Sequence, residues 1–351
     1  MNEVQITADI IIDEIKKLTK ILGRPPKRDE WKSHFRHGGA IPNKFGGFTN
    51  LVRMALYEKK PMEIEEIPNE LLDVDDIIAH KAKLYDRQHN YDEKLKGVSV
   101  KINMDGPYGI CHFGDPHVDD NGTDIMALQH DMKIVNETKG MFAANVGDMS
   151  NNWTGRLAHL YADESVSAKE AWALVEWLIN SCEWLYLIGG NHDLWSGASN
   201  PIKWMIKQQN CAYGPSRVRV CLKSPSTKRI INVNARHDFS GTSQWNPAHA
   251  VMKAASMGWH DEILICGHKH KSGYGVIKDP KTGVISHAIQ VASYKRCDDF
   301  AAARNFPDQH LSCCVTTIIN PEAKEENDLI NVFLNLERAA DYLNYLRRNY
   351  K

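Results

Sequence analysis

The chain has 351 residues, which at about 100–200 residues per domain is room for two domains or one large domain with an appendage. Charged residues make up 25% and hydrophobic ones 42%, close to ordinary globular usage, which argues against a mainly disordered, collagen-like or fibrous chain. Lys plus Arg at 43 against Asp plus Glu at 44 leaves a formal net charge of −1, so global charge names no partner.

Locally the charge is uneven. Residues 16–60 hold 12 Lys/Arg against three acids, a net of +9, whereas residues 61–76 hold seven acids and no base. That switch, with Pro61 and Pro68, reads as a boundary and linker. Ahead of it, Ile11, Ile15, Leu18 and Leu22 recur at helical spacing and are stopped by Gly23 and Pro25-Pro26. A second helix is expected through Trp31 and Phe35 and a third over residues 51–56. Residues 1–60 therefore predict a basic helical module and residues 61–97 an acidic linker with a polar helix over about 71–94, leading into a main domain at 98–351.

In the main domain short apolar runs at residues 108–113, 141–146, 184–188, 230–233 and 262–266 read as buried strands. Between them lie helix candidates: one after Thr123 with Ile125, Leu128, Met132 and Val135, one with Ser167 and Glu170 as a capping box, and one over 247–257 stopped by Gly258. Alternation of this kind argues an α/β core. The tail returns to strands near 311–319 and 329–334, then to a helix with Leu336, Ala340, Leu343 and Leu346 on one face. The eight cysteines form no C-x-x-C pair and mostly sit in apolar runs, as small core residues in a reducing compartment do. No apolar run approaches the roughly 20 residues of a membrane span, and the start carries Asp9 and no basic leader, so a soluble, cytoplasmic protein is expected.

Each of the five central strands ends in a polar cluster: Asp115-Pro-His117, Gly-Asp148, Gly-Asn191-His192-Asp193, His237-Asp238 and Gly-His268-Lys-His270. In open α/β sheets, ligands bind outside the carboxyl ends of strands, so five such ends can converge on one site. Carboxylate, amide oxygen and imidazole without thiolate suit borderline divalent ions. Seven such groups, Asp115, His117, Asp148, Asn191, His237, His268 and His270, exceed one tetrahedral ion and fit two ions about 3.5–4 Å apart sharing a carboxylate, as in two-metal hydrolytic sites. His237, which lacks a tight motif, has His249 as its nearby rival. His112, His130, His159, His287 and His310 follow no ligand spacing and are expected to make ordinary hydrogen bonds.

The order D-x-H, G-D, G-N-H-D, lone His, G-H-x-H resembles the calcineurin-like metallophosphoesterase superfamily. The resemblance implies a layered β-sandwich flanked by helices and two divalent ions, manganese first, with iron, zinc or nickel as alternatives. It assigns Asp115, His117, Asp148 and His270 to one ion and Asp148, Asn191, His237 and His268 to the other. It also makes His192 the general acid on the leaving oxygen, oriented by Asp193. The G-D-x-x-D-R-G and G-N-H-E signatures of the superfamily's protein serine/threonine phosphatases are not matched, which leaves phosphodiesterases, nucleotidases and nucleases. Asn151, Asn152, Arg156, Tyr294 and Arg296 are candidates for substrate contact.

Residues 23–31 and 41–56, with Gly23-Arg-Pro-Pro and Phe45-Gly-Gly-Phe48, are similar to the short helical repeat attached to homing endonucleases. That similarity and the local +9 charge imply DNA as a partner, held through phosphate contacts. The functional expectation is a dinuclear-metal phosphodiesterase acting as a nuclease on DNA. The alternative is a small-molecule or cyclic-nucleotide phosphodiesterase or phosphatase whose N-terminal module serves regulation or oligomerisation.

Overall fold

The structure is a computed structural model that describes residues 6–35, 41–56, 73–197, 200–297 and 312–350. Pro61, Pro68 and His310 lie outside the described residues. The chain divides into two compact units, residues 1–79 and 80–351, and the division falls inside helix α4 (Val74–Leu95).

In the first unit, α1 (Ala8–Leu22) ends at Gly23, whose φ of 65° is the left-handed conformation that costs glycine little. With α2 (Arg28–His34) and α3 (Phe48–Leu56) it forms a small core in which Ile11 and Ile15 meet Trp31, Phe35, Phe48, Leu51 and Ala55. Trp31 stacks on Phe35 with ring centroids 4.4 Å apart. Part of the basic charge is already paired within this unit: Arg24 bonds Glu30, Lys17 bonds Glu14, and Arg28 donates to Asn43.

The second unit is a layered α/β sandwich of two six-stranded sheets. In the first sheet β2 (Tyr108–Phe113), β3 (Met141–Asn145), β4 (Trp184–Ile188) and β5 (Ala212–Gly214) run parallel. Antiparallel β11 (Cys314–Ile319) and β12 (Ile330–Phe333) extend it beyond β2. The second sheet has the order β1 (Val98–Lys101), β6 (Arg217–Lys223), β7 (Ile230–Arg236), β8 (Ile263–Cys266), β10 (Ile285–Gln290), β9 (Gly273–Lys278), with β7, β8 and β10 parallel. Between the sheets, Ile110, Ala144, Val146, Tyr186 and Ile188 pack against Val220, Leu222, Ile231, Val233 and Ile265, a mainly apolar layer in which His112 bonds the Tyr186 hydroxyl. Helices α5 (Ile125–Glu137), α6 (Ala168–Asn180) and α10 (Leu336–Asn349) cover the outer face of the first sheet, α9 (His249–Met257) covers that of the second, and α7 (Asn191–Leu194) and α8 (Ile202–Met205) are single turns.

The capping box of α6 is formed by Ser167 and Glu170. The cap of α5 is Asp124, whose carboxylate accepts from the Ala127 N–H at 3.0 Å, and not Thr123, whose hydroxyl turns back to the His117 carbonyl at 2.7 Å. No described helix is long and apolar enough to cross a membrane.

Candidate metal centre

Parallel pairing brings the ends of β2, β3 and β4 side by side, with Phe113 opposite Asn145. The same holds for β7 and β8 in the facing sheet. The loops beyond these ends are joined by backbone and side chain. His117 N–H donates to the Asp148 carbonyl at 3.0 Å, Gly267 N–H to the His237 carbonyl at 3.1 Å, and His268 N–H crosses between the sheets to Asp115 Oδ2 at 2.7 Å.

The backbone there is held in an unusual state. All five described non-glycine residues with positive φ lie in these loops: His117, Asp148, Asn152, His268 and His270. Left-handed backbone costs such residues about 1–3 kcal/mol each and persists where the surroundings impose it. Glycines give the side chains room: a Cβ on Gly190 would strike Asp148, and one on Gly267 would strike Asp115.

Three overlapping donor groups result, each with its atoms within 4.8 Å of one another: Asp115, His117 and His270; Asp148, His237 and His268; and His117, Asp148 and His192. Around His237 Nε2 stand Asn191 Oδ1 at 2.9 Å, His268 Nδ1 at 3.1 Å and Asp148 Oδ2 at 3.2 Å. His270 Nε2 is 3.3 Å from Asp115 Oδ2, and His117 Nε2 is 3.9 Å from Asp148 Oδ2. His237 Nδ1 donates to the Val146 carbonyl at 2.9 Å, which turns Nε2 toward the other donors, the orientation that second-sphere bonds give metal-binding imidazoles.

Buried polar atoms without partners test whether these residues suit a metal. Asp115 Oδ1 and both ring nitrogens of His117 are buried with no hydrogen-bond partner, a cost of about 1–3 kcal/mol per group unless a cation is coordinated there. Burial pulls the His117 pKa well below its ordinary value and so leaves a lone pair available. At His237 burial acts in the same direction, but hydrogen bonding to Asp148 and the charges of Asp115 and Asp148 reverse it and carry the pKa to about 10. Burial likewise pushes the Asp148 carboxyl up, yet His237, His117 and His192 together hold it below the usual range. The carboxylates thus attract positive charge into this space. The donor set fits divalent ions with oxygen and nitrogen preferences.

His192 Nδ1 donates to the Asn151 carbonyl at 2.8 Å, and its backbone N–H donates to Asp148 Oδ1 at 2.9 Å. The expected orienting contact from Asp193 is not made. That carboxylate is fully buried and accepts from Gly190 N–H at 2.8 Å and Met149 N–H at 3.1 Å, so it holds two loop backbones while burial and then Asp148 push its pKa up to about 7.

The side chains of four substrate-contact candidates are engaged within the protein. Asn151 is buried, its amide donating to Asp120 at 2.8 Å and to Glu164 at 3.2 Å. Asn152 donates to the His192 carbonyl at 2.6 Å and accepts from the Ser196 hydroxyl at 2.9 Å. Tyr294 is fully buried with its hydroxyl on Asp131, and Arg296 pairs with Asp124. Short polar side chains after a Gly-Asp turn satisfy loop groups before they reach solvent, and Asn151 and Asn152 do so. Arg156 is exposed at the start of the 3-10 turn Gly155–Ala162.

Two residues outside the sequence reading belong to the site. Trp195 lies 4.1 Å from the His192 ring and Trp153 lies 5.2 Å from it, centroid to centroid. Their signal was position: each indole follows a polar motif by one or two residues. The histidines without ligand spacing make ordinary contacts: His112 bonds Tyr186 at 2.6 Å and Thr317 at 3.0 Å, and His287 bonds Tyr274 at 2.7 Å. His249 begins α9 and is in none of the donor groups.

No protein-family model matches the chain, and no curated protein matches it. Among solved structures the chain is similar to a single mutant of Vps29 from Entamoeba histolytica, at 12% identity and a TM-score of 0.32, covering 64% of this chain and 97% of that one. It is also similar to wild-type Vps29 of that organism complexed with Zn²⁺, at 11% identity and 0.31, covering 65% and 99%. A third is a predicted phosphoesterase from Streptococcus pneumoniae, at 10% identity and 0.30, covering 66% and 99%.

Proposed function

We propose that the protein is a metal-dependent phosphoric ester hydrolase that holds two divalent ions and cleaves phosphodiesters, with DNA as its substrate. The observation that carries this is the sharing of Asp148 between two donor groups, one completed by His237 and His268 and the other reaching His117 and His192. Bound divalent ions supply Lewis acidity toward water and toward a phosphoryl oxygen.

The chain's own residues do the rest. Asp115, His117, Asp148 and His270 would hold one ion, and Asp148, Asn191, His237 and His268 the other. Hydrolysis adds water to phosphorus, breaks the ester P–O bond and leaves an oxygen that needs a proton. His192 is placed to give it: with Nδ1 committed to the Asn151 carbonyl, Nε2 is the ring nitrogen left for substrate. Burial lowers the His192 pKa, which makes its protonated form a stronger acid.

The DNA assignment is supported by the net +9 over residues 16–60. One experiment tests both levels: chelation, restoration with Mn²⁺, and a panel of single-stranded DNA, duplex DNA, cyclic nucleotides and an aryl phosphodiester. No Mn²⁺-dependent turnover of any ester refutes the hydrolase. For the DNA assignment, deletion of residues 1–60 should weaken DNA affinity and lower the slope of log K against log salt by about 0.7–0.9 per lost phosphate contact. Equal DNA cleavage by the truncated and full chains across salt concentrations would favour a small ester as substrate.

A further inference from the structure

Beside the metal-donor groups stands an aromatic cluster that the proposed chemistry does not use. Trp153 and Trp195 come from two different strand-end loops and meet at 5.9 Å, each ring also touching His192. His192 in turn lies 5.0 Å from His117. The rings thus step from the donor groups outward: His117, His192, Trp195.

Trp195 keeps 39% of its surface exposed although it packs on a part-buried imidazole. Burying an indole removes much apolar surface from water, and a half-open indole beside a reactive centre is a face for a flat ligand. A hydrogen-bonded frame holds the cluster: Ser196, the next residue, donates to Asn152, and Asn152 donates to the His192 carbonyl. The indole is therefore fixed to the same loop as the imidazole.

We infer that Trp195, backed by Trp153, is a stacking platform for a nucleobase, so that the preferred ester is a nucleoside phosphodiester whose base adjoins the oxygen facing His192. This rests on the phosphodiesterase reading of the neighbouring site. A base is joined to its phosphate through one sugar. With the phosphate against the His117 side, the base of the departing nucleoside falls on the indole beyond His192. Base–aromatic stacking tolerates any base, because every base has a π face, and removal of the aromatic weakens binding by about 5- to 150-fold per base. The platform selects for a base without reading which one.

The test uses the Mn²⁺-loaded full chain and two dithymidine monophosphates, one complete and one lacking the base on the departing sugar. Their leaving alcohols are alike, so the ratio of kcat/KM values isolates the base. Wild type should favour the complete compound, and Trp195→Ala should reduce that ratio about tenfold, whatever it does to both rates through His192. Trp195→Phe should restore most of it. An unchanged ratio in Trp195→Ala, with metal content equal to wild type, would overturn the stack and leave Trp195 as packing for His192. If neither compound is hydrolysed, the phosphodiesterase reading fails, and calorimetry still decides the platform. Thymidine monophosphate should then bind more tightly than inorganic phosphate to wild type, by a margin that Trp195→Ala removes. An equal margin in both proteins refutes it.

Discussion

The bodies of the central strands and the loops at their ends are built by opposite rules. Within β2, β3, β4, β7 and β8 most inter-sheet residues are aliphatic or aromatic and buried, with His112 bonded to Tyr186 among them, and the register is regular apart from a shift between Ala143 and Ala144. A residue or two later the chain buries carboxylates and imidazoles, leaves Asp115 and His117 with unpaired polar atoms, and turns four of the candidate ligands into left-handed backbone. The first region gains free energy on folding; the second consumes part of it to place donors. Side-chain substitutions should therefore separate the two, with activity lost at the ends and stability lost in the bodies.

The largest effect should come from Asp148→Asn, which alters the one carboxylate common to two donor groups. Turnover should fall by more than about 10⁴-fold, the upper end of what a single proton-transfer group contributes. The melting temperature in chelator should fall, since the buried His237 imidazolium loses the carboxylate that faces it. A variant with full turnover after chelator treatment and Mn²⁺ restoration would break the comparison at its centre. Next, His192→Gln should slow a nucleotide diester by about 10²–10⁴-fold and a p-nitrophenyl ester far less, because a good leaving group needs no proton. Equal losses at unchanged metal content would make His192 a binding group.

In the strand bodies the loss should fall on stability alone. Leu222→Ala, in the apolar layer, should cost about 2–5 kcal/mol in chemical denaturation while metal content per folded molecule stays constant. Loss of metal at full folding would mean that the layer and the site are not separable. A pH-dependent effect concerns His112, buried between Tyr186 and Thr317, whose pKa burial lowers to about 3. Below the unfolded value near 6.5, the unfolded chain takes up a proton that the folded protein refuses, so stability should fall as pH drops from about 6.5 toward 3. In His112→Gln the slope should lessen by about one proton, or 1.4 kcal/mol per pH unit. An unchanged slope would place the acid sensitivity elsewhere.

What could be read in the sequence follows the same division. Strands buried on both faces announce themselves as apolar runs, and each run here ends in glycine or a polar motif. The order of Asp115, Asp148, Asn191, His237 and His268 was therefore legible without coordinates. Strands with one wet face were not. Residues of β1, β6 and β9 alternate between more and less buried, and β10 buries Ser286, His287 and Gln290, so none forms an apolar run. Side-chain direction was hidden too. Asn151 and Asn152 are polar residues beside a motif, and only the fold shows that both are committed to Asp120, Glu164 and the His192 carbonyl. The direction of Asp193 was hidden for the same reason: sequence places it beside His192, while the turn points its carboxylate at the backbone of Gly190 and Met149.

The donor loops come from both sheets, three from one and two from the other, and the His268 amide reaches across to Asp115. An ion held by His117 and His270, or by Asn191 and His268, would then act as a stitch between layers that otherwise adhere mainly through apolar contact. Aliphatic contact has no fixed register and resists sliding poorly, whereas coordination tolerates only a few tenths of an ångström. Loading the site should stiffen the sandwich against shear, and amide exchange should slow in β7 and β8 as much as in β2 and β3, although no strand itself touches the metal.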